Sequence, residues 1–162
     1  MEQKILIFRI IFVVCFLNSS ISNAEKIIRG SAKIIDGDTI HIGKNKIRLH
    51  GIDAPEIDQP CFFKKQKWNC GIESKSVLTK LILDEKNVEC TINDIDRYKR
   101  FIAICFINEI NINKYMVAEG WAIAYRYYSL DYIIDEELAK KNKLGIWKGE
   151  FEEPYLFRKS NK

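Results

Sequence analysis

The stretch IIDGDTIHIGKNKIRLHGIDAPE, residues 34 to 56, decides the fold. Its apolar residues alternate with polar ones around two turn signals, Asp36-Gly37-Asp38 and Gly43-Lys44-Asn45-Lys46. The alternation extends back to Lys26. The spacing predicts three short strands, from Lys26 to about Asp36, from Thr39 to Ile42 and from Ile47 to Ile52, joined by tight turns. Such a meander is typical of a small β-barrel.

Residues 57–69 read as a loop containing Pro60, Cys61, Phe62 and Phe63 with Lys64, Lys65 and Lys67. From Gly71 to Leu83 the apolar positions Ile72, Val77, Leu78, Leu81 and Ile82 follow a mostly helical period, which predicts an amphipathic helix capping the barrel. Val88–Ile92 and Phe101–Ile107 read as two more strands. A short helix follows over Asn113–Glu119, with Asn113 as its N-cap and Gly120 as its stop. A third helix spans Asp131–Lys143 and ends at Leu144-Gly145-Ile146-Trp147. From about residue 148 a tail with Pro154 and several aromatics wraps the body. The fold class is mainly β with α: a five-stranded barrel with three helices, in one domain from residue 25 to 162.

The first 24 residues read as a signal peptide. Lys4 and Arg9 precede the apolar run Ile10–Leu17, and Ser22-Asn23-Ala24 is a small-x-small cleavage pattern. The run from Ile5 to Leu17 is shorter than the roughly 20 apolar residues of a spanning helix. The expectation is therefore a secreted or periplasmic protein without stable membrane association. Beyond Cys15 an even set of cysteines remains: Cys61, Cys70, Cys90 and Cys105. In an oxidising compartment these form disulfides. Of the three pairings, chain geometry favours Cys90–Cys105, equidistant from a turn near Arg97-Tyr98, and Cys61–Cys70, closing a short loop. There is no Cys-x-x-Cys or paired-His spacing for zinc. A net charge of +4 over 162 residues is compatible with a nucleic-acid partner only if the basic groups cluster.

The chemistry-bearing residues return to the opening stretch. Asp38 follows a glycine turn and Asp53 ends a strand, so neighbouring strands can each offer one carboxylate to a hard cation, completed by carbonyls, water and a phosphate oxygen. Each turn alone is more often an ordinary turn. Arg48 lies five residues before Asp53, on the opposite face of a straight strand, and the two share a site only if the chain bends near Gly51. A second arginine turn, Asp96-Arg97-Tyr98-Lys99-Arg100, supplies Arg100. Arginine suits phosphate because its planar fork binds two oxygens and stays charged. Glu56 is placed to orient or deprotonate an attacking water. His41 and His50 read as structural.

Taken in order, these pieces closely resemble the staphylococcal nuclease family. They are Asp36-Gly37-Asp38-Thr39, Arg48-Leu49, Asp53-Ala54-Pro55-Glu56, Asp96-Arg97-Tyr98-Lys99-Arg100, Asn113 with Met116-Val117-Ala118-Glu119-Gly120-Trp121-Ala122, and Gly145-Ile146-Trp147. The resemblance runs from about Lys26 to Trp147. It implies a five-stranded OB-type barrel with three helices and Ca²⁺-dependent cleavage of single- or double-stranded DNA and of RNA at the 5′ P–O bond, leaving 3′-phosphate ends. Residue by residue, Asp38 and Asp53 look like the calcium ligands with the Ala54 carbonyl beside them, and Asp36 like the outer acid. Arg48 and Arg100 look like the phosphate-binding arginines, Glu56 like the residue handling water, and Tyr98 like the tyrosine beside the phosphate. Two further substrate-binding tyrosines fall most naturally on Tyr125 and Tyr127, with Tyr128 an alternative. Lys99 stands where many members have glycine, so a turn needing positive φ would be strained there. The expected form is a monomer. The rival reading is a catalytically silent OB module that binds nucleic acid or protein; such a module is expected to lose these acids and arginines, and this chain keeps them.

Overall fold

The structure is a computed structural model that describes residues 26–83 and 87–161. The signal segment expected at residues 1–24 lies outside the described residues. The first strand is in two halves, β1 (Ile27–Gly30) and β2 (Ala32–Ile34). They meet near Gly30, whose φ is +149° and where a Cβ would press on Ile42 at 2.9 Å. Only glycine accommodates that bend. β3 (Thr39–Ile42) and β4 (Asn45–Leu49) form the expected hairpin, and β5 (Ile52–Asp53) continues beyond the turn at Gly51.

Residues 57–69, expected as loop, instead contain a hairpin of β6 (Pro60–Phe63) and β7 (Gln66–Asn69). Its turn is Lys64-Lys65, both at positive φ (50° and 66°). Two-residue hairpin turns favour this backbone, but Asn-Gly or Asp-Gly usually announces it. Two lysines carry no such signal. Helix α1 (Cys70–Ile82) follows, then the long strands β8 (Val88–Ile95) and β9 (Phe101–Ile107) and the short β10 (Ile110–Asn111).

Helix α2 (Ile112–Ala118) is capped by Asn111, whose side chain accepts from the Lys114 amide, and not by Asn113. Asn113 is wholly buried and acts as a strut. Its side-chain oxygen accepts from the Cys105 amide and its nitrogen donates to the His50 and Ala103 carbonyls. The chain continues through β11 (Ile123–Ala124), α3 (Ile133–Lys141) and a 3₁₀ turn over Gly145–Lys148. The expected tail holds β12 (Glu150–Phe151), which pairs with β6, and a fourth helix, α4 (Pro154–Ser160). Pro154 at its first turn is a common helix opening.

The main sheet runs β1-β8-β9-β4-β3-β2, with β4 and β9 parallel. Because β1 and β2 are halves of one bent strand, the two ends of this order meet in a nearly closed barrel. Counted that way it has the five expected strands. Its interior holds Ile40, Ile47, Leu49, Val88 and Ala103, and Leu78 of α1 and Met116 of α2 close it. A second, smaller core gathers Cys61, Cys70, Ile123 and Ile146 with Trp68 and Trp121 against them. No described helix is long and apolar enough to cross a membrane.

Both expected disulfides are present. Cys90 faces Cys105 across the β8–β9 ladder, and Cys61–Cys70 ties the second hairpin to the start of α1. The 15-residue separation of Cys90 and Cys105 corresponds to about 3 kcal/mol of loop-closure stabilisation. Replacing both by alanine should lower the unfolding free energy by about that amount, measured by denaturant titration. Peptide mapping without reductant should recover the Cys90–Cys105 pair.

Candidate active site

One mouth of the barrel carries the acids. Asp36 begins a tight turn in which its Oδ1 accepts from the Asp38 amide at 3.0 Å. Gly37 within the turn packs so closely on Ser74 of α1 and on Ala54 that a Cβ would overlap both. The Asp-Gly-Asp loop is thus pinned between helix and barrel. Asp38 is only 2% exposed; its Oδ2 accepts from the Ala54 amide at 2.8 Å, and its Oδ1 accepts from Thr39 Oγ1 and Arg48 Nη1.

The bend at Gly51 is real. Gly51 has φ +73°, and a side chain there would meet Ser129 and Tyr132. The turn brings Asp53, 0% exposed, to the same side as Arg48, whose Nη2 donates to Asp53 Oδ1 at 2.6 Å. Arg48 therefore spans both aspartates with its two terminal nitrogens, at 2.7 and 2.6 Å. Burial works against the charge on Arg48, but Asp38 and Asp53 outweigh it and hold its pKa above the ordinary value.

A residue that the sequence pattern did not single out completes this cluster. Arg158 of α4 sends Nη1 to Asp53 Oδ1 (2.8 Å) and to Glu56 Oε1 (2.7 Å), and Nη2 to Asp53 Oδ2 (3.0 Å). It reaches across 105 residues of sequence to Asp53. A basic residue in the last turn of a short helix ordinarily reads as a partner of the helix dipole, so no local signal marks it. Glu136 was also missed. It is 1% exposed, takes Arg126 and Lys140 as partners, and accepts from the Ala124 amide. It thereby holds β11, which pairs with β5 at Ile123 opposite Asp53.

Four carboxylates, Asp36, Asp38, Asp53 and Glu56, thus crowd one region against two guanidiniums in contact with them. Burial, then the nearby charge of Asp38, lifts the Asp36 pKa to about 6. Burial also raises Asp53, partly offset by the Arg158 hydrogen bonds. The region is richer in acid than its arginines neutralise. Among the described residues no three His, Cys, Asp or Glu side chains form a ready metal cage; a cation here would rest on the aspartate pair and non-carboxylate oxygens.

Arg100 is held apart from the aspartate pair by its own partner. Asp96 accepts from the Arg100 amide and, through Oδ2, from Arg100 Nε at 2.8 Å. Burial opposes the charge on Asp96, but these bonds prevail and lower its pKa. Arg48 pairs with Ile102 in the parallel β4–β9 register, so Arg100 lies two residues ahead of Arg48's neighbour. Tyr98 is 60% exposed, with the guanidiniums of Arg97 and Arg100 over its ring at 4.8 and 5.6 Å. Lys99 adopts φ +63°, the left-handed value that glycine takes without strain. The turn geometry is kept and lysine bears its cost.

The tyrosines divide. Tyr125 stands at the site: its amide donates to the Gly51 carbonyl, and burial followed by the charge of Asp53 raises its pKa. Its ring meets Tyr128 at 5.0 Å and Tyr155 of α4 at 6.4 Å. Tyr127 is 82% exposed and packs edge-on against Tyr128.

Buried aspartates joined by an arginine fork thus stand at one mouth of an OB-type barrel. The comparisons with known proteins place that fold among the nucleases. The family model described as staphylococcal nuclease homologue matches residues 46–149. An uncharacterized endonuclease of Haemophilus influenzae is 34% identical, over 90% of this chain and 79% of its own length. Micrococcal nuclease of Shigella flexneri is 32% identical, over 80% of this chain and 79% of its own. The succinoglycan biosynthesis protein ExoI of Rhizobium meliloti is 34% identical, over 78% and 68%. The chain belongs to the staphylococcal nuclease family.

Two measurements check the site's energetics. With a folded pKa of about 6 against 3.8, Asp36 contributes stability below pH 4 that is lost as pH rises through 6. Asp36→Asn should flatten the stability profile of the metal-free protein between those values, read by denaturant titration at successive pH. Lys99→Gly should raise stability by about 1 kcal/mol by removing the left-handed lysine, with Arg100 still bonded to Asp96.

Proposed function

We propose that the chain is an exported, calcium-dependent endonuclease that hydrolyses the phosphodiester bonds of DNA and RNA and leaves 3′-phosphate ends. The observation that carries this reading is the buried aspartate pair, Asp38 and Asp53, bridged by Arg48, with Glu56 one guanidinium away. The donor set fits a hard cation: oxygen only, buried, and in a region with excess acid. Asp38 and Asp53 would hold Ca²⁺ with the Ala54 carbonyl, and Asp36 would sit behind them. Two protein carboxylates imply modest affinity. Once bound, the cation supplies charge neutralisation at a phosphate oxygen and acidifies a water.

The chain's own groups do the rest. Glu56 receives the proton of the attacking water, so that hydroxide forms only next to phosphorus. Arg48 and Arg100 neutralise the extra charge on five-coordinate phosphorus through the guanidinium hydrogens that their aspartates leave over. The P–O5′ bond breaks, O5′ leaves as a hydroxyl with a proton taken from solvent water, and the phosphate stays on the 3′ oxygen. Tyr98 borders the phosphate, and Tyr125 and Tyr127 flank the strand, offering ring faces to bases. Export is supported by the leader pattern in the sequence and by two disulfides. The catalytic unit is one domain, residues 25–162, acting as a monomer.

Purified protein should degrade single-stranded DNA with Ca²⁺ and stop when chelator is added, and mass analysis of the products should find 3′-phosphates. Activity indifferent to chelator would overturn the metal reading; nucleic-acid binding without cleavage would make the chain a silent module. Glu56→Ala should retain the fold and lose about 10²–10⁴ in turnover. Arg48→Ala and Arg100→Ala should each lose on the order of 10² or more.

A further inference from the structure

Arg158 stands where the proposed chemistry needs open carboxylate oxygens. Its fork takes both oxygens of Asp53, and the same Nη1 takes Oε1 of Glu56. Asp53 Oδ1 already accepts from Arg48, so every oxygen of that buried carboxylate has a guanidinium donor. A divalent cation seated on Asp53 would lie within a few ångströms of Arg158. Like charges that close, in a mouth screened from bulk water, repel strongly. The guanidinium and the cation are therefore competitors for one carboxylate.

We infer that Arg158 is an intramolecular stand-in for the divalent cation, making α4 a latch that the cation must release before Asp53 and Glu56 can act. This rests on the reading of Asp38 and Asp53 as cation ligands.

The rest of α4 is built to let go. Pro154 is its only buried residue; Tyr155 and Leu156 are 46% and 45% exposed. It also meets the site through the tilted Tyr125–Tyr155 ring contact, and its half-buried Phe157 lines a shallow cavity with Pro60, Phe62 and Phe151. A segment with so little apolar burial opens at low free-energy cost once its ion pairs are exchanged. The preceding residues are anchored separately. β12 pairs with β6, and the buried Gln59 donates Nε2 to the Glu152 carbonyl at 2.6 Å while its Oε1 accepts from the Glu56 amide. Gln59 thus fastens the Glu56 loop to the segment between β12 and α4, so that the anchor lies outside α4 itself. In the latched form Arg158 also balances charge that would otherwise leave Asp53 and Glu56 short of a partner.

The test uses the full mature chain, wild type and Arg158→Ala, with Ca²⁺ as the probe. Calorimetric titration should show Ca²⁺ binding at least about tenfold more tightly to Arg158→Ala, a difference of 1.4 kcal/mol. Hydrogen exchange of the amides of residues 155–160 should be accelerated by Ca²⁺ in the wild type and be fast with or without Ca²⁺ in the variant. Equal Ca²⁺ affinities, with exchange of α4 unmoved by Ca²⁺, would overturn the latch. So would equal affinities combined with weaker substrate binding by the Ca²⁺-loaded variant, which would make Arg158 a third phosphate contact. If neither protein binds Ca²⁺, the cation reading itself fails and the latch fails with it. Should Arg158→Ala unfold, Arg158→Lys, which keeps the charge but not the fork, should show the same changes in smaller measure; no change there would also overturn the proposal.

Discussion

Asp53 is a carboxylate with no solvent exposure whose two oxygens are shared by two arginines, one from the preceding strand β4 and one from α4. A buried charge of this kind is tolerated only when its partners are close and well aligned. The local architecture follows from that requirement. Gly51 turns the chain so that Arg48 and Asp53 meet, and β11 lines the other side of Asp53, held by the buried Glu136. Gly37 lets the Asp36–Asp38 turn sit tightly against α1. The barrel provides rigidity, and the charges at its mouth dictate how its loops close.

The same requirement concentrates the electrostatic conflict of this region at one place. An acid-rich mouth is an unfavourable place in the metal-free protein, as the raised pKa values of Asp36 and Asp53 indicate. Arg48 reduces the conflict without removing it, because a single guanidinium cannot neutralise several carboxylates. The second arginine arrives from α4, a short helix whose fully buried residue is Pro154. Arg100 has a different arrangement: Asp96 orients it in advance, so it needs no partner from the acid cluster.

Much of this was legible from residue order. Alternation gave the barrel strands, helical period gave α1, and equal spacing about a turn paired Cys90 with Cys105. The joint site of Arg48 and Asp53 was legible only conditionally, as a bend at Gly51 that strand geometry demanded. The misreadings have specific physical origins. The hairpin at 60–69 turns on two left-handed lysines that carry no turn signature. Asn113 looked like a cap because Asn favours caps, yet burial made it a strut and left the cap to Asn111. The tail looked unstructured because a seven-residue helix has too short a period to recognise.

The sequence by itself determined which residues could do chemistry, because residue type sets charge, donor geometry and turn preference, and the order of motifs set the family. Tertiary structure alone decided which of those groups meet. Asp53 and Arg158 lie 105 positions apart, and nothing local to either encodes the other. Their contact exists because β12 docks on β6 and delivers α4 to the mouth of the barrel, a consequence of strand pairing and burial that no short-range pattern records.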